Sequence, residues 1–239
     1  MTRTCTAAAV ALAVAVVVST TPAPAQSPQG TALNTLTAAE LKDGWRLLFD
    51  GTSLKFWRAY KQNAPSANWA VVDGTIERVR GGPDLITVEQ FTDFDFRFEW
   101  MVTPGANSGI MYYVTEEGGA TYDTGPEYQI LDNARHADGK NPLTSAGACY
   151  ALYAPPKDVT RPVGSWNEGR IVFQKGRGEH WLNGEKVVEF QLGSPDWDAR
   201  VAASKFGIVP TFGKARRGHL AIQEHGARVA FRNLRIKPM

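Results

Sequence analysis

Apolar and polar residues alternate along several short stretches of the chain, which is the period of β-strands that bury one face. The clearest stretch is FDFRFEWMV at residues 94–102, where apolar side chains from Phe94 to Val102 occupy every second position. Asp73-Gly74 and Asn183-Gly184 each lie inside such a stretch and are typical of two-residue hairpin turns. The other strand candidates are WAVVDGTIERV, GIMYYVT, EYQIL, GRIVFQK, HWLNGEKVVEF, HLAIQEH and VAFRNLRIK.

One short helix is predicted near the start of the folded region. Thr37 and Glu40 have the spacing of a capping box ahead of Leu41, and the chain turns at Asp43-Gly44. No long segment with a period of 3.6 residues follows. The pattern therefore favours an all-β fold, an antiparallel β-sandwich or jelly roll with one N-terminal helix, over a layered αβ fold.

The first 25 residues have the pattern of a signal peptide. Arg3 gives a positive start, residues 7–18 are an unbroken apolar run, and Ala23-Pro24-Ala25 is a small-residue cleavage site. The run is shorter than the roughly 20 residues of a membrane-spanning helix. We therefore expect a secreted or periplasmic protein with a disordered leader at residues 26–36, followed by a single domain at residues 37–239.

Composition narrows the classes of partner. The 26 basic and 24 acidic residues nearly cancel, so nothing in the net charge indicates nucleic acid or an anionic membrane as a partner. Cleavage of the signal peptide would leave Cys149 as the single cysteine, in an apolar run typical of a buried, inert thiol. The sequence also lacks a phosphate-binding glycine loop, a His-Glu-x-x-His helix and a Gly-x-Ser-x-Gly motif.

Two of the predicted strands carry polar side chains on a single face. Glu127 and Gln129 share one face of their strand, and Gln223 and His225 share one face of HLAIQEH. If the two strands lie side by side in a concave sheet, these four side chains converge on a groove open to solvent. Such a groove suits a sugar.

The loop after Gln129 raises the question of a metal ion. Asp132, His136 and Asp138 offer oxygen and imidazole ligands that could hold a divalent cation such as Ca²⁺. Their spacing matches no strong metal-binding motif. The alternative is that Asp132 and Asn133 form the turn while His136 borders the groove.

Several stretches together resemble the 3-keto-disaccharide hydrolase domain family, found in secreted bacterial proteins with a concanavalin-like jelly roll. The resemblance covers the chain from about residue 37. It departs from the family at Ala151 and Glu224, where the family often has Asp. The matching stretches are GWRLLFDGTSLKFWR (44–58), NSGIMYYV (107–114), GPEYQILDNARHADGK (125–140), YAPPKDVTRPVGSWNEGRIV (153–172), HWLNGEKVVEFQLGSPDW (180–197), ASKF (203–206) and GHLAIQEHG through FRNLRIK (218–237).

The resemblance implies cleavage of sugars already oxidised to a ketone at carbon 3. The ketone acidifies the hydrogen at carbon 2, whose removal expels the aglycone from carbon 1, and water then adds back. His225 and Glu127 are the predicted catalytic residues, as general base and general acid in an order that the sequence leaves open. The residues predicted to bind substrate are Gln129, Gln223, Asn107, Asp132, His136, Tyr150 and Lys205.

Two other functions remain open at this point. An ordinary glycosidase needs two carboxylates flanking the bond, whereas the strand offers Glu127 followed by the amide Gln129. A non-catalytic carbohydrate-binding module is the alternative if the Asp replaced by Ala151 is functional.

Overall fold

The computed structural model describes residues 1–2 and 32–239. The signal peptide predicted over residues 1–25 lies almost entirely outside the described residues and stays a prediction, as does most of the leader. The described residues form short β-strands, two α-helices and several 3₁₀ turns. The strands are β1 (Arg46–Leu47), β2 (Trp57–Ala59), β3 (Trp69–Val72), β4 (Thr75–Arg78), β5 (Leu85–Thr87), β6 (Phe94–Val102), β7 (Asn107–Val114), β8 (Glu127–Leu131), β9 (Asn167–Gln174), β10 (Arg177–Leu182), β11 (Glu185–Gln191), β12 (His219–Ile222) and β13 (Val229–Pro238), and the helices are α1 (Ala38–Lys42) and α2 (Pro195–Ala203).

The strands form two sheets. The larger has the order β11-β10-β9-β6-β13-β4-β3, with β1 also paired to β13, and the smaller has the order β2-β5-β12-β7-β8. Neighbouring strands are antiparallel in both sheets. The predicted all-β antiparallel sandwich is thereby confirmed.

The core lies between the sheets and follows the alternation in the sequence. The apolar residues of β6, from Phe94 to Val102, are buried in one cluster with Tyr128, Ile130 and Ile222 from the smaller sheet. Asp95 lies between them in sequence and faces outward, where its carboxylate accepts two hydrogen bonds of 2.8 Å from Arg170. Burying each aromatic side chain of β6 contributes roughly 1.5–3 kcal/mol.

Both predicted hairpin turns are present. Asp73 and Gly74 have φ of 47° and 75°, and Asn183 and Gly184 have φ of 50° and 83°. Positive φ at both central residues defines the type I′ turn, whose twist matches that of the strands it joins. The turns connect β3 to β4 and β10 to β11.

The N-terminal helix is present, and the structure adds a second that was not predicted. In α1 the Glu40 N–H donates to the Thr37 hydroxyl at 3.1 Å, and the Thr37 N–H donates to the Glu40 carboxylate at 2.9 Å. Helix α2 begins after Ser194, whose hydroxyl accepts from the Trp197 N–H at 3.2 Å. Trp197 is the one buried residue of α2, so the sequence offers no repeated apolar face to reveal it.

The leader prediction is wrong at its C-terminal end. Asn34 is buried, its amide donates to the Gly74 carbonyl at 2.9 Å, and its side-chain oxygen accepts from the Asn233 N–H at 2.8 Å. Polar pairing rather than apolar burial holds this segment, so hydropathy did not reveal it. No helix within the described residues is long and apolar enough to cross a membrane.

Cys149 is buried in the core, as its surroundings in the sequence predict. Burial raises the pKa of its thiol to about 12, and its sulfur lies 3.5 Å from the Tyr112 hydroxyl. A thiol protonated at neutral pH is a poor nucleophile.

Candidate active site

A cavity of about 270 Å³ lies on the face of the smaller sheet that points away from the core. It gathers both predicted catalytic residues and most of the residues predicted to bind substrate. It is lined by Asn107, Tyr122, Glu127, Gln129, Asp138, Tyr150, Lys205, Phe206, Gln223 and His225.

The two strands predicted to carry the polar residues, β8 and β12, lie on either side of β7. From the sequence we expected them to be direct neighbours. Gly109 of β7 is opposite Gln129 of β8, and on its other side its carbonyl accepts from the Gln223 N–H at 2.9 Å. Strand β12 ends at Ile222, so Gln223 and His225 lie just beyond it. The Gln223 hydrogen bond keeps the chain close to β7 past that end, which preserves the common face.

Gly109 makes room for the carboxyl group of Glu127. A Cβ atom at position 109 would lie 2.0 Å from Oε1 of Glu127 and 2.7 Å from its Cγ and Cδ. No Cβ atom tolerates such contacts, so the position of the Glu127 side chain depends on the glycine. A glycine inside a strand is a known mark of close approach by a neighbouring group.

Glu127 is buried, and burial raises the pKa of its carboxyl group to about 8. The Lys205 ammonium opposes this shift, while the charges of Asp84 and Asp138 add to it. At neutral pH the group is therefore mostly protonated and can donate a proton, as a buried carboxylic acid does in other enzymes.

The amide of Gln129 is partly used within the protein. Its nitrogen donates to the Thr144 carbonyl at 3.2 Å, and its oxygen accepts from the Ile130 N–H at 3.1 Å. Gln129 is fully buried. It thus connects the cavity floor to the loop that ends at Thr144.

Asn107 and Gln223 present amides to the cavity. The side-chain oxygen of Asn107 is buried and has no hydrogen-bond partner among the described residues. Buried polar atoms nearly always have a partner, so this amide is available to a bound molecule. Gln223 is held through its backbone, since its carbonyl accepts from the Ser108 hydroxyl at 2.8 Å.

One wall of the cavity combines aromatic rings with a cation. The Lys205 ammonium lies 4.3 Å from the ring centre of Tyr150 and 5.2 Å from that of Phe206. Burial, followed by the charge of Asp138, raises the pKa of the Tyr150 hydroxyl to about 12. Tyr150 therefore remains a neutral donor, and its ring helps to hold the lysine near Glu127.

Two residues predicted to bind substrate do not line this cavity. The Asp132 carboxylate accepts from the Gly105 N–H at 2.8 Å and the Ala134 N–H at 3.1 Å, and it faces a different depression. It shapes the turn, so its prediction as a substrate contact is not supported by its position. The His136 ring lies 6.2 Å from the His225 ring, at the rim.

The three side chains considered for a metal ion do not form a cluster. His136 accepts from the Asp138 N–H at 3.2 Å, and the Asp132 carboxylate is engaged as described. In residues 1–2 and 32–239 no group of three or more His, Cys, Asp or Glu side chains could hold a metal ion. A Ca²⁺ ion at this loop stays a prediction.

Three lining residues were missed as substrate contacts. Tyr122, Asp138 and Phe206 come from 3₁₀ turns, which carry no strand alternation to indicate a face. Asp138 had been considered only as a metal ligand. Its inclusion gives the cavity a second carboxyl group besides Glu127.

Both departures from the family pattern lie outside the cavity lining. Ala151 has φ of +62° in a turn, a conformation that Asp and Asn adopt more readily than Ala. Glu224 accepts from Arg78 at 2.7 Å and from the Gly226 N–H at 2.9 Å. The structure thus gives position 151 a conformational role and Glu224 a role in the loop that follows β12.

The protein is a two-sheet antiparallel sandwich with a polar, acid-containing cavity on one sheet. The model of the 3-keto-alpha-glucoside-1,2-lyase-like domain matches residues 44–237, and this chain belongs to that family. A 3-keto-disaccharide hydrolase from Bacteroides thetaiotaomicron is 30% identical over 89% of this chain and 84% of that protein.

Solved structures agree with this assignment. The crystal structure of a proposed glycosyl hydrolase from Parabacteroides distasonis has a TM-score of 0.81 and 34% identity, and the match covers 87% of this chain and 99% of that chain. A second such protein from the same organism has a TM-score of 0.67 and 23% identity over 82% of this chain and 99% of its own, which shows the fold alone.

Proposed function

We propose that the protein cleaves 3-keto-glycosides, including 3-keto-disaccharides, by elimination followed by hydration. Removal of the proton at carbon 2 leaves an enolate that extends over carbon 3 and its oxygen. Collapse of the enolate breaks the bond from carbon 1 to the aglycone oxygen and forms an enone. Water then adds at carbon 1 and a proton returns to carbon 2, so the net reaction is hydrolysis. The family match and the identity to a 3-keto-disaccharide hydrolase support this substrate class.

The observation that carries the proposal is a buried carboxyl group and an imidazole in one cavity. Burial raises the pKa of Glu127 to about 8, so at neutral pH this residue supplies a proton. His225 is exposed at the mouth of the same cavity, and an imidazole near neutral pH can accept one. We therefore assign His225 as the base at carbon 2 and Glu127 as the acid at the aglycone oxygen.

The enolate oxygen requires donors in the cavity. The Lys205 ammonium and the amides of Asn107 and Gln223 line the same space as Glu127 and His225. Donors fixed in place before the charge develops stabilise it without the cost of reorganisation. The buried Asn107 oxygen has no hydrogen-bond partner among the described residues, so it is suited to accept from a sugar hydroxyl, and Lys205 is the strongest donor candidate because its ammonium is charged.

Asp138 supports a second candidate function. With Glu127 it gives the cavity two carboxyl groups, the minimum for ordinary acid-base hydrolysis of an unoxidised glycoside. A chromogenic glycoside assayed before and after oxidation at carbon 3 separates the possibilities. Cleavage of the oxidised form alone is expected. Cleavage of both forms would instead favour the two-carboxylate mechanism, and cleavage of neither would favour a binding module.

Exchange of the carbon 2 hydrogen in heavy water tests the two assigned roles. Glu127→Gln should still exchange this hydrogen while cleavage falls roughly 10²-fold or more, because the base remains and the acid is lost. His225→Ala should lose both exchange and cleavage by similar factors. The control is Asp50→Ala, whose carboxylate accepts from the Thr52 and Ser53 N–H groups and does not line the cavity. Exchange lost in Glu127→Gln but kept in His225→Ala would reverse the assignment.

A further inference from the structure

We propose that Asp84 is a positioning residue for the proposed reaction, holding together the two chain segments that place Tyr122 and His225 around the cavity. The inference rests on the proposed function for its effect on catalysis. Asp84 precedes β5 and does not line the cavity. It acts through the segments that it joins.

The carboxylate of Asp84 accepts a hydrogen bond from each of these segments. Its Oδ1 accepts from the Glu224 N–H at 2.7 Å, and its Oδ2 accepts from the Thr121 hydroxyl. Each donor immediately precedes a residue of the cavity wall, His225 in one case and Tyr122 in the other. One carboxylate thus fixes two loops that are 103 residues apart between Thr121 and Glu224.

Asp84 is itself well anchored. Its carbonyl accepts from the Tyr60 N–H at 2.9 Å. The carbonyl of the preceding Pro83 accepts from the Asn68 amide at 2.9 Å and the Trp69 indole at 3.0 Å. Trp69 begins β3, so the Pro83 carbonyl ties Asp84 to the larger sheet. The two cavity segments bound by Asp84 are thereby connected to that sheet.

The side chain of Glu224 does not compete for this position. It turns away to bind Arg78 at 2.7 Å, with both side chains largely buried. Only the backbone of Glu224 remains for Asp84. The loop after β12 is thereby held on two sides, by Arg78 and by Asp84, just before it presents His225.

Asp84 also affects the acid of the proposed reaction. Burial raises the pKa of Asp84, which its two hydrogen bonds and the nearby His225 oppose, while the charge of Glu224 adds to the rise. When ionised, Asp84 raises the pKa of Glu127, as Asp138 does, and Lys205 lowers it. Removing the charge of Asp84 should therefore lower the pKa of Glu127.

Two variants separate the hydrogen bonds from the charge. Asp84→Asn keeps an oxygen for the Glu224 N–H but removes the charge, whereas Asp84→Ala removes both. Amide hydrogen exchange of residues 121–124 and 223–226 reports the positions of the two segments, and kcat against pH on the oxidised glycoside reports Glu127. Asp50→Ala is the matched control, because it removes a carboxylate that accepts two backbone N–H groups away from the cavity.

Asp84→Ala should accelerate exchange in both segments about 10-fold or more and lower kcat with a smaller change in KM. Asp84→Asn should keep exchange slow and move the alkaline limb of the kcat profile to lower pH, which a residue with a merely structural role would not do. Asp50→Ala should leave amide exchange in both segments and the alkaline limb of the kcat profile unchanged.

Unchanged exchange in either segment of Asp84→Ala would overturn the positioning role, whatever the wild-type activity. If the alkaline limb of the kcat profile does not move in Asp84→Asn, the charge of Asp84 does not affect the pKa of Glu127, and that part of the proposal is overturned. A wild-type protein inactive on oxidised glycosides would refute the proposed function, while the exchange data would still decide whether Asp84 joins the two segments.

Discussion

At the scale of single residues, the protein buries a carboxyl group in its cavity at a cost in free energy. Glu127 lies buried beside two other acidic residues, Asp84 and Asp138, with Lys205 as the cation that offsets them. Water would solvate its charge far better than this cavity does. The raised pKa is therefore both the source of its proposed acid role and a cost to stability.

Replacing Glu127 should change how stability depends on pH. Its pKa in the folded protein, about 8, is above the value near 4.5 of an unfolded chain, so its stabilising contribution is complete below pH 4.5 and is lost as the pH rises through 8. Glu127→Gln should unfold like the wild type at pH 5 and be more stable by a few kcal/mol at pH 9.

Urea unfolding at pH 5, 7 and 9 measures this difference. Glu117→Gln is the control, because Glu117 is exposed and does not line the cavity. Its stability should follow the wild type at every pH. Parallel curves for Glu127→Gln and the wild type would show that the carboxyl group titrates normally.

At the scale of elements, the site depends on three adjacent strands of the smaller sheet. Strand β7 lies between β8 and β12, and its Gly109 forms the floor between Gln129 and Gln223. Every other residue type would fill the space that Glu127 uses. Strand β7 thus contributes the Asn107 side chain and, at position 109, the absence of one.

Gly109→Ala should lower activity strongly while largely preserving the fold. The new methyl group would meet the Glu127 side chain, which can rotate away, so stability should change little while kcat falls about 10²-fold. Kinetics on the oxidised glycoside together with thermal unfolding measure both effects. Gly81→Ala is the control, since the nearest atom to its added Cβ is the end of Arg78 at 3.8 Å.

An equal loss of activity in Gly81→Ala would attribute the loss in Gly109→Ala to the general effect of replacing a glycine on backbone entropy. Full activity in Gly109→Ala would mean that the position of Glu127 does not matter for catalysis.

Gly109 was visible in the sequence as an interruption of the strand NSGIMYYV, but the sequence did not reveal that it makes room for Glu127. Its neighbour across the strand pair is set by register, which only the folded sheet defines.

At the scale of the whole molecule, the segment that precedes α1 is tied to the last strand. Asn34 exchanges hydrogen bonds with Asn233 in β13 at 2.7 and 2.8 Å, and it also donates to Gly74 in the turn between β3 and β4. These bonds hold the segment around Asn34 against β13 and the turn between β3 and β4. They are partly buried, so losing them leaves polar groups without partners at a cost in stability.

Asn34→Ala should lower the free energy of unfolding by roughly 1–3 kcal/mol, because the Gly74 carbonyl and the Asn233 N–H lose their partners. Urea unfolding measures this, and activity should be unaffected since Asn34 is not among the cavity residues. Thr35→Ala, at an exposed neighbour, should change stability by less than about 0.5 kcal/mol. Equal effects in the two variants would show that the Asn34 bonds contribute nothing specific.

The sequence by itself determined the longer strands, both type I′ turns, the capping box of α1 and the buried face of β6, but it did not predict the short strands β1, β2 and β5. The predicted features follow from local chemistry, since alternation, turn residues and caps act over a few neighbouring positions. It also placed Glu127 and Gln129 on one face of β8, for the same reason.

Only the tertiary structure decided what surrounds that face. Placing β7 between β8 and β12 brought Gln223 and His225 opposite Glu127, and 3₁₀ turns added Asp138 and Tyr122 while Asp132 faced elsewhere. The pKa of Glu127 likewise depends on burial by residues distant in sequence. Strand order and desolvation are properties of the assembled sandwich, which is why no local pattern could specify them.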